Sequence, residues 1–292
     1  MLVMIKIRKL IILALILIFT LAVLAVFPGA KDSKKADKHN SVELPIIMYH
    51  SLLKDKKLQN DYTISPDSFE KDLQYITRNN YSTVTVSDLV EYVYSDKPLP
   101  EKCIMLTFDD GYYNNYYYAF PLLKKYGCKA VISPIAFMTE KYTADANISI
   151  NYGHINADNI KEMVSSGLVE IQNHSYNMHS LTPRRGVEQK SAESDAEYRS
   201  VIEEDITHAQ EYLNSSADVL PSCFVYPFGA KSSSTLEVIK KIGFVSTMTC
   251  TEKINLISRD PDSLFELGRY RRVPRESVEQ ILRRSKSNID PV

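Results

Sequence analysis

Two adjacent carboxylates, Asp109 and Asp110, end an apolar run and are followed at once by Gly111. Neighbouring side chains in a strand point to opposite faces. At a strand's end the pleat relaxes into a turn, and both carboxylates can reach one pocket from different directions. One can then hold a metal while the other takes a proton from water. Asp and Gly also favour ordinary turns, so the triplet by itself does not specify chemistry. His174 and His179 add to it. They stand five residues apart. On a helix that separation is about 140°, and on a strand the two would face oppositely. They converge only across a tight turn, which Ser175-Tyr176-Asn177 is suited to make. One carboxylate with two imidazoles is a common catalytic zinc set that leaves a position open for water.

The elements that must position these groups follow from the hydrophobic pattern. Short apolar runs at 44–49, 82–86, 103–108, 129–133, 168–171, 222–226 and 244–247 read as strands. They show almost no polar alternation, as expected when both faces are covered. Helical patterns lie between them at 66–79, 87–94, 113–126, 157–165, 196–213 and 234–242. Ser65 before Pro66 signals a helix start, and Gly127, Gly167 and Gly243 signal stops. Strand then helix, repeated, predicts a parallel α/β fold, either a barrel or an open doubly wound sheet. In such folds active sites gather at the C-terminal ends of the strands. His50, Asp109, Asp110, His174 and His179 all follow strand ends, and so does Pro227-Phe228-Gly229. The polar stretch 182–197 reads as an exposed loop.

Composition narrows the function. Lys plus Arg total 35 against 36 Asp plus Glu, which argues against nucleic acid as a partner and suits a neutral substrate. Cys103, Cys128, Cys223 and Cys250 lie in or beside apolar runs without a Cys-x-x-Cys pair, so they read as buried thiols and not as a zinc-thiolate site. The first 40 residues are of another kind. Residues 1–9 form a basic stub, 10–27 carry no charge, and 28–43 are a linker ahead of a catalytic domain at 44–285 and a tail at 286–292. Eighteen uncharged residues sit at the lower edge of a spanning helix and exceed the usual signal-peptide core. The expectation is a single-pass signal anchor, N-terminus inside and catalytic domain extracytoplasmic, or a secreted domain if cleavage follows Ala30. Charge around the span is nearly balanced, with Lys6, Arg8 and Lys9 before it and Lys31, Lys34, Lys35 and Lys38 after.

Three segments carry a family resemblance. Thr107-Phe108-Asp109-Asp110-Gly111 resembles the first motif of the polysaccharide deacetylases, the NodB-like carbohydrate esterase family 4. His174 to His179 is similar to the second motif and Phe224 to Gly229 to the third. Three departures stand out. The histidines are five apart instead of four, Val225 replaces an Arg, and no His follows His208. All three are similar to the circularly permuted, PgaB- and IcaB-like branch that deacetylates poly-N-acetylglucosamine. The resemblance implies a distorted (β/α)7 barrel. It implies that Asp110, His174 and His179 hold a divalent metal, zinc by default with cobalt or nickel as alternatives. It assigns Asp109 as general base, His50 in Tyr49-His50 as general acid and the Phe228 backbone N–H as oxyanion donor. Arg269 is the candidate partner for Asp109 in place of the missing arginine, although Arg269, Arg271, Arg272 and Arg275 also read as a solvated charge run. Tyr112 and Tyr226 are candidate substrate contacts. The implied activity is removal of N-acetyl groups from a cell-surface or extracellular polysaccharide. The rivals are action on another amide or O-acetyl ester, or a non-catalytic wall-associated barrel.

Overall fold

The structure, a computed structural model, describes residues 41–145 and 148–287. The expected signal anchor at 10–27 lies outside the described residues, as do the basic stub, most of the linker and the end of the tail. Among the described residues no helix is long and apolar enough to cross a membrane.

Seven strands make a parallel ladder: β1 (Ile46–Tyr49), β2 (Cys103–Asp110), β3 (Ala130–Pro134), β4 (Val169–Ile171), β5 (Cys223–Val225), β6 (Ser246–Met248) and β7 (Tyr270–Arg271). Among the described residues eight α-helices accompany them: α1 (Pro66–Arg78), α2 (Val86–Ser95), α3 (Phe120–Tyr126), α4 (Ala136–Thr143), α5 (Ala157–Ser165), α6 (Asp195–Ala217), α7 (Thr235–Ile242) and α8 (Val278–Ser287). Pairing runs β7-β1-β2-β3-β4, and β5 pairs with β6. Parallel bridges Asn173↔Phe224 and Met248↔Leu267 carry the ladder from β4 to β5 and from β6 to the segment that enters β7. The path therefore returns to its start. Every residue of β1 and β2 is buried, which is why these runs lack polar alternation.

Local signals explain most element boundaries. Ser65 accepts the Ser68 N–H, Pro66 takes the first turn, and Phe69, Leu73 and Ile76 are fully buried on one face of α1. Each such side chain contributes about 1.5–3 kcal/mol by leaving water. The run 82–86 is a strand only at Ser82–Thr83. Thr85 and Asp88 form a capping box that opens α2 at Val86, and this start signal overrides the β-branched composition. The single helix expected over 113–126 begins instead with a π-helical turn, Asn115–Ala119, before α3. Pro121 has no N–H to give to an i−4 carbonyl, and the wider turn accommodates it. The loop at 182–197 is more ordered inside than its polarity suggested: Val187 is fully buried and Arg184 pairs with Glu193 at 2.5 Å. All four cysteines are free. Three are buried, whereas Cys250 is partly exposed.

Candidate active site

The end of β2 separates its two carboxylates. Asp109 still lies in the ladder opposite Ser133. Asp110 turns to φ 67°, and Gly111 repeats that value. A left-handed Asp is tolerable, being short and polar. At Gly111 a side chain is impossible, because a Cβ would sit 2.6 Å from that of Pro134. The turn sends Asp109 and Asp110 to different partners.

Asp109 meets Arg269. The guanidinium gives two parallel bonds, Nη1 to Oδ1 at 2.6 Å and Nη2 to Oδ2 at 2.8 Å, and its Nε donates to Thr249 O at 2.9 Å. Arg269 is 0 % exposed and Asp109 3 %. The arginine is thus the expected partner and not part of a solvated face. Burial pushes the Asp109 carboxyl up, but the charge and hydrogen bonds of Arg269, together with the nearby His174 and His50, outweigh it and hold the group below the ordinary carboxylate range.

Asp110 meets the two imidazoles. His174 and His179 Nε2 lie 3.5 and 3.1 Å from the same Oδ1. That oxygen is buried and satisfies no hydrogen-bond geometry. One ligand atom from each of the three residues falls within 4.8 Å of the others. Such spacing suits three ligands around one cation better than donors around an acceptor. The histidines converge because the chain between them is pinned. Ser175 sits at φ 67°, its N–H bonded to Asn173 Oδ1 at 2.8 Å and its hydroxyl accepting from Met178 N–H at 3.0 Å. Asp205 from α6 accepts the N–H groups of Tyr176 and Asn177. His174 Nδ1 is 2.7 Å from Val225 O, which fixes its tautomer and leaves Nε2 free to ligate. The donor set and its orphaned oxygen therefore fit a divalent cation.

His50 follows β1, its Nε2 4.0 Å from Asp109 Oδ2. Burial lowers the imidazole pKa, and the charges of Asp109 and Asp110 oppose that shift. Phe228 stands at φ 58° in the Pro227–Gly229 turn, its ring 4.4 Å from that of His179. These groups open on one cavity of about 650 Å³, lined also by Tyr62, Tyr112, Arg185, Cys250 and Arg271.

Tyr112 lines that cavity, but one face of its ring is already covered by His154, at 4.9 Å between centroids. Tyr226 is a correction. It is 0 % exposed and packs with Phe224, Tyr198 and Val238 in the core. Strand alternation turns it away from the cavity, so it cannot touch a substrate. His154 went unnoticed in the sequence because it sits in a loop 44 residues from Asp110, whose carbonyl its Nδ1 approaches to 2.9 Å. No spacing rule signals such a contact.

Several known proteins are similar to this chain. The sequence profile described as polysaccharide deacetylase matches residues 96–246. A poly-β-1,6-N-acetyl-D-glucosamine N-deacetylase of Escherichia coli strain K12 is 28 % identical over 220 residues, covering 68 % of this chain and 32 % of the relative. The chain thus spans about a third of that relative's length. The Staphylococcus aureus (strain N315) protein of the same name is 26 % identical over 265 residues, 85 % of this chain and 88 % of the relative. YxkH of Bacillus subtilis, assigned by name to the polysaccharide deacetylases, is 31 % identical over 235 residues, 80 % of this chain and 72 % of the relative. Two solved structures share the fold. Streptococcus pyogenes deacetylase PplD, in complex with acetate, superposes with a TM-score of 0.69 at 24 % identity, covering 86 % of this chain and all of that one. IcaB from Ammonifex degensii gives 0.66 at 24 % identity, covering 85 % and 97 %. With the profile match and the Bacillus subtilis relative together, the chain belongs to the polysaccharide deacetylase family.

Proposed function

We propose that this chain hydrolyses N-acetyl groups on N-acetylglucosamine residues of a polysaccharide, with poly-β-1,6-N-acetylglucosamine as the leading substrate. The observation that carries the proposal is one cavity holding the Asp110, His174 and His179 ligand set beside the Asp109–Arg269 pair and His50. The names of the Escherichia coli and Staphylococcus aureus relatives support the choice of glycan.

A divalent cation held by Asp110, His174 and His179, zinc by preference, would supply Lewis acidity toward the acetyl carbonyl and toward water. Asp109, kept ionised by Arg269, accepts the proton of the attacking water. The water oxygen bonds to the acetyl carbon, and the carbon–nitrogen bond breaks. His50 gives its proton to the departing nitrogen, because an amide anion is too basic to leave unaided. Acetate and a glucosamine amine result. The Phe228 backbone N–H is our candidate donor to the developing oxyanion, and the open face of Tyr112 is a candidate wall for the sugar. We read the closed parallel ladder as a distorted (β/α)7 barrel whose mouth is this cavity.

We also propose that residues 10–27 anchor the domain outside the cytoplasm. Protease added to intact cells would then degrade the domain; full protection would refute the orientation. The functional test is acetate release from β-1,6- and β-1,4-linked N-acetylglucosamine oligomers and from acetylated xylan. Preference for β-1,6-linked oligomers is expected. Absence of acetate from every glycan, with metal bound, would overturn the proposal.

A further inference from the structure

His50 is assigned the acid role, yet little on its ring holds it in place. Among the described residues the imidazole meets Asp109 only at 4.0 Å and the edge of the exposed Tyr62 ring at 5.0 Å. The backbone around it is held instead. Asn115 Nδ2 donates to His50 O at 2.7 Å. Asn114 Oδ1 accepts the Leu52 N–H at 2.8 Å, and its Nδ2 donates to Ser51 Oγ at 3.0 Å. Both asparagines are 0 % exposed.

Two features separate Asn115 from an ordinary buried amide. Among the described residues its Oδ1 has no hydrogen-bond partner. A buried acceptor left unpaired is costly, while the Nδ2 of the same amide donates to His50 O at 2.7 Å and more weakly to Asn114 Oδ1 at 3.4 Å. The residue also opens the π-helical turn Asn115–Ala119, where Asn115 O takes the Phe120 N–H. Such turns are rare and concentrate at functional sites. Here the turn begins four residues after Gly111, so a single segment carries both carboxylates and the group that reaches across to His50.

We infer that Asn115 is a positioning residue for His50: its side-chain amide ties the end of β1 to the turn after Asp110 and so sets the distance from the imidazole to the departing nitrogen. This rests on the acid role given to His50 above. The full chain is tested with two substrates, an N-acetylglucosamine oligomer and 4-nitrophenyl acetate, whose leaving group needs no proton. Asn115→Ala and Asn115→Ser should lower kcat on the oligomer by about 10²-fold, the scale of a misplaced reacting group, with KM changed by no more than about twofold. Cleavage of the activated ester should fall by no more than about threefold, since a general acid matters little to it. In a His50→Ala background, Asn115→Ala should cause no further loss on the oligomer. Equal losses on both substrates, collapse of the fold included, would overturn the inference, as would a full additional loss in the double variant. If His50→Ala itself keeps oligomer activity, the acid assignment fails instead, and the two failures are told apart.

Discussion

Replacing Arg269 with Met is the sharpest perturbation of this site. It removes a guanidinium that is 0 % exposed and leaves Asp109, 3 % exposed, without its bidentate partner. Breaking one side of a buried ion pair costs about 3–5 kcal/mol, because the remaining charge is uncompensated. For a domain of this size that lowers the melting temperature by about 6–20 °C. The carboxyl escapes the penalty by taking up a proton. Asp109 is now held below its ordinary value by Arg269 against burial. Without the arginine, burial is opposed chiefly by the nearby imidazoles of His174 and His50, and the carboxyl rises. A base must be ionised, so the acid limb of the kcat/KM profile moves upward. At about pH 7 a smaller fraction of Asp109 is then ionised, and activity falls. Activity recovers as pH rises. The assay is acetate release from an N-acetylglucosamine oligomer across pH 5–10 (about the usable range for the scaffold) alongside a thermal melt. The double variant Asp109→Asn/Arg269→Met should melt above Arg269→Met alone. An unmoved acid limb together with an unchanged melting temperature would refute the reasoning.

Other outcomes follow from the same geometry. Dialysis against a chelator should abolish acetate release and lower the melting temperature, and zinc, cobalt or nickel should restore both; ligand at about 100 times Kd stabilises by about 2.7 kcal/mol. Asp110→Ala should eliminate metal stoichiometry in elemental analysis, since the ion would lose its only carboxylate ligand in the set. Tyr226→Phe should leave kcat and KM unchanged and stability equal or higher, because its buried hydroxyl meets no full hydrogen-bond geometry among the described residues; a rise in KM would place the ring back in the substrate site. Asp88 offers a pH test of the scaffold. Burial pushes its carboxyl up, but the Thr85 N–H at 2.9 Å and Lys129 at 3.1 Å outweigh that and hold it below its ordinary value. A depressed folded pKa means stabilisation that is complete above about pH 3.9 and lost as pH falls through the folded value. Asp88→Ala should therefore cost ~1 kcal/mol at neutral pH and nothing in strong acid, as read by urea melts.

Much of the site is written in local sequence. Asp109, Asp110, His174, His179 and His50 each follow an apolar run that becomes a parallel strand, and parallel strands deliver their C-terminal ends to one rim. The turn between the two histidines is legible too, from Ser175 and Asn177. Strand periodicity was informative where burial is two-sided, as in β2, and failed at 82–86, where a capping box begins the helix early.

Side-chain destinations across long sequence gaps were decided only by the folded chain. Four arginines stand close together at 269, 271, 272 and 275, and no local rule separates them. In three dimensions Arg269 is buried on Asp109, Arg272 is buried on Asp72, Arg271 lies at the cavity near the Tyr62 ring, and Arg275 is exposed beside Asp61. Tyr226 reads like a site residue but faces the core, because its direction depends on the twist and pleat of β5 and not on its neighbours in the chain. Local sequence specifies which residues end a strand and which turn, since propensity and capping act over a few residues. Which acceptor a buried guanidinium or amide finds depends on closure of the ladder, a property of the whole domain.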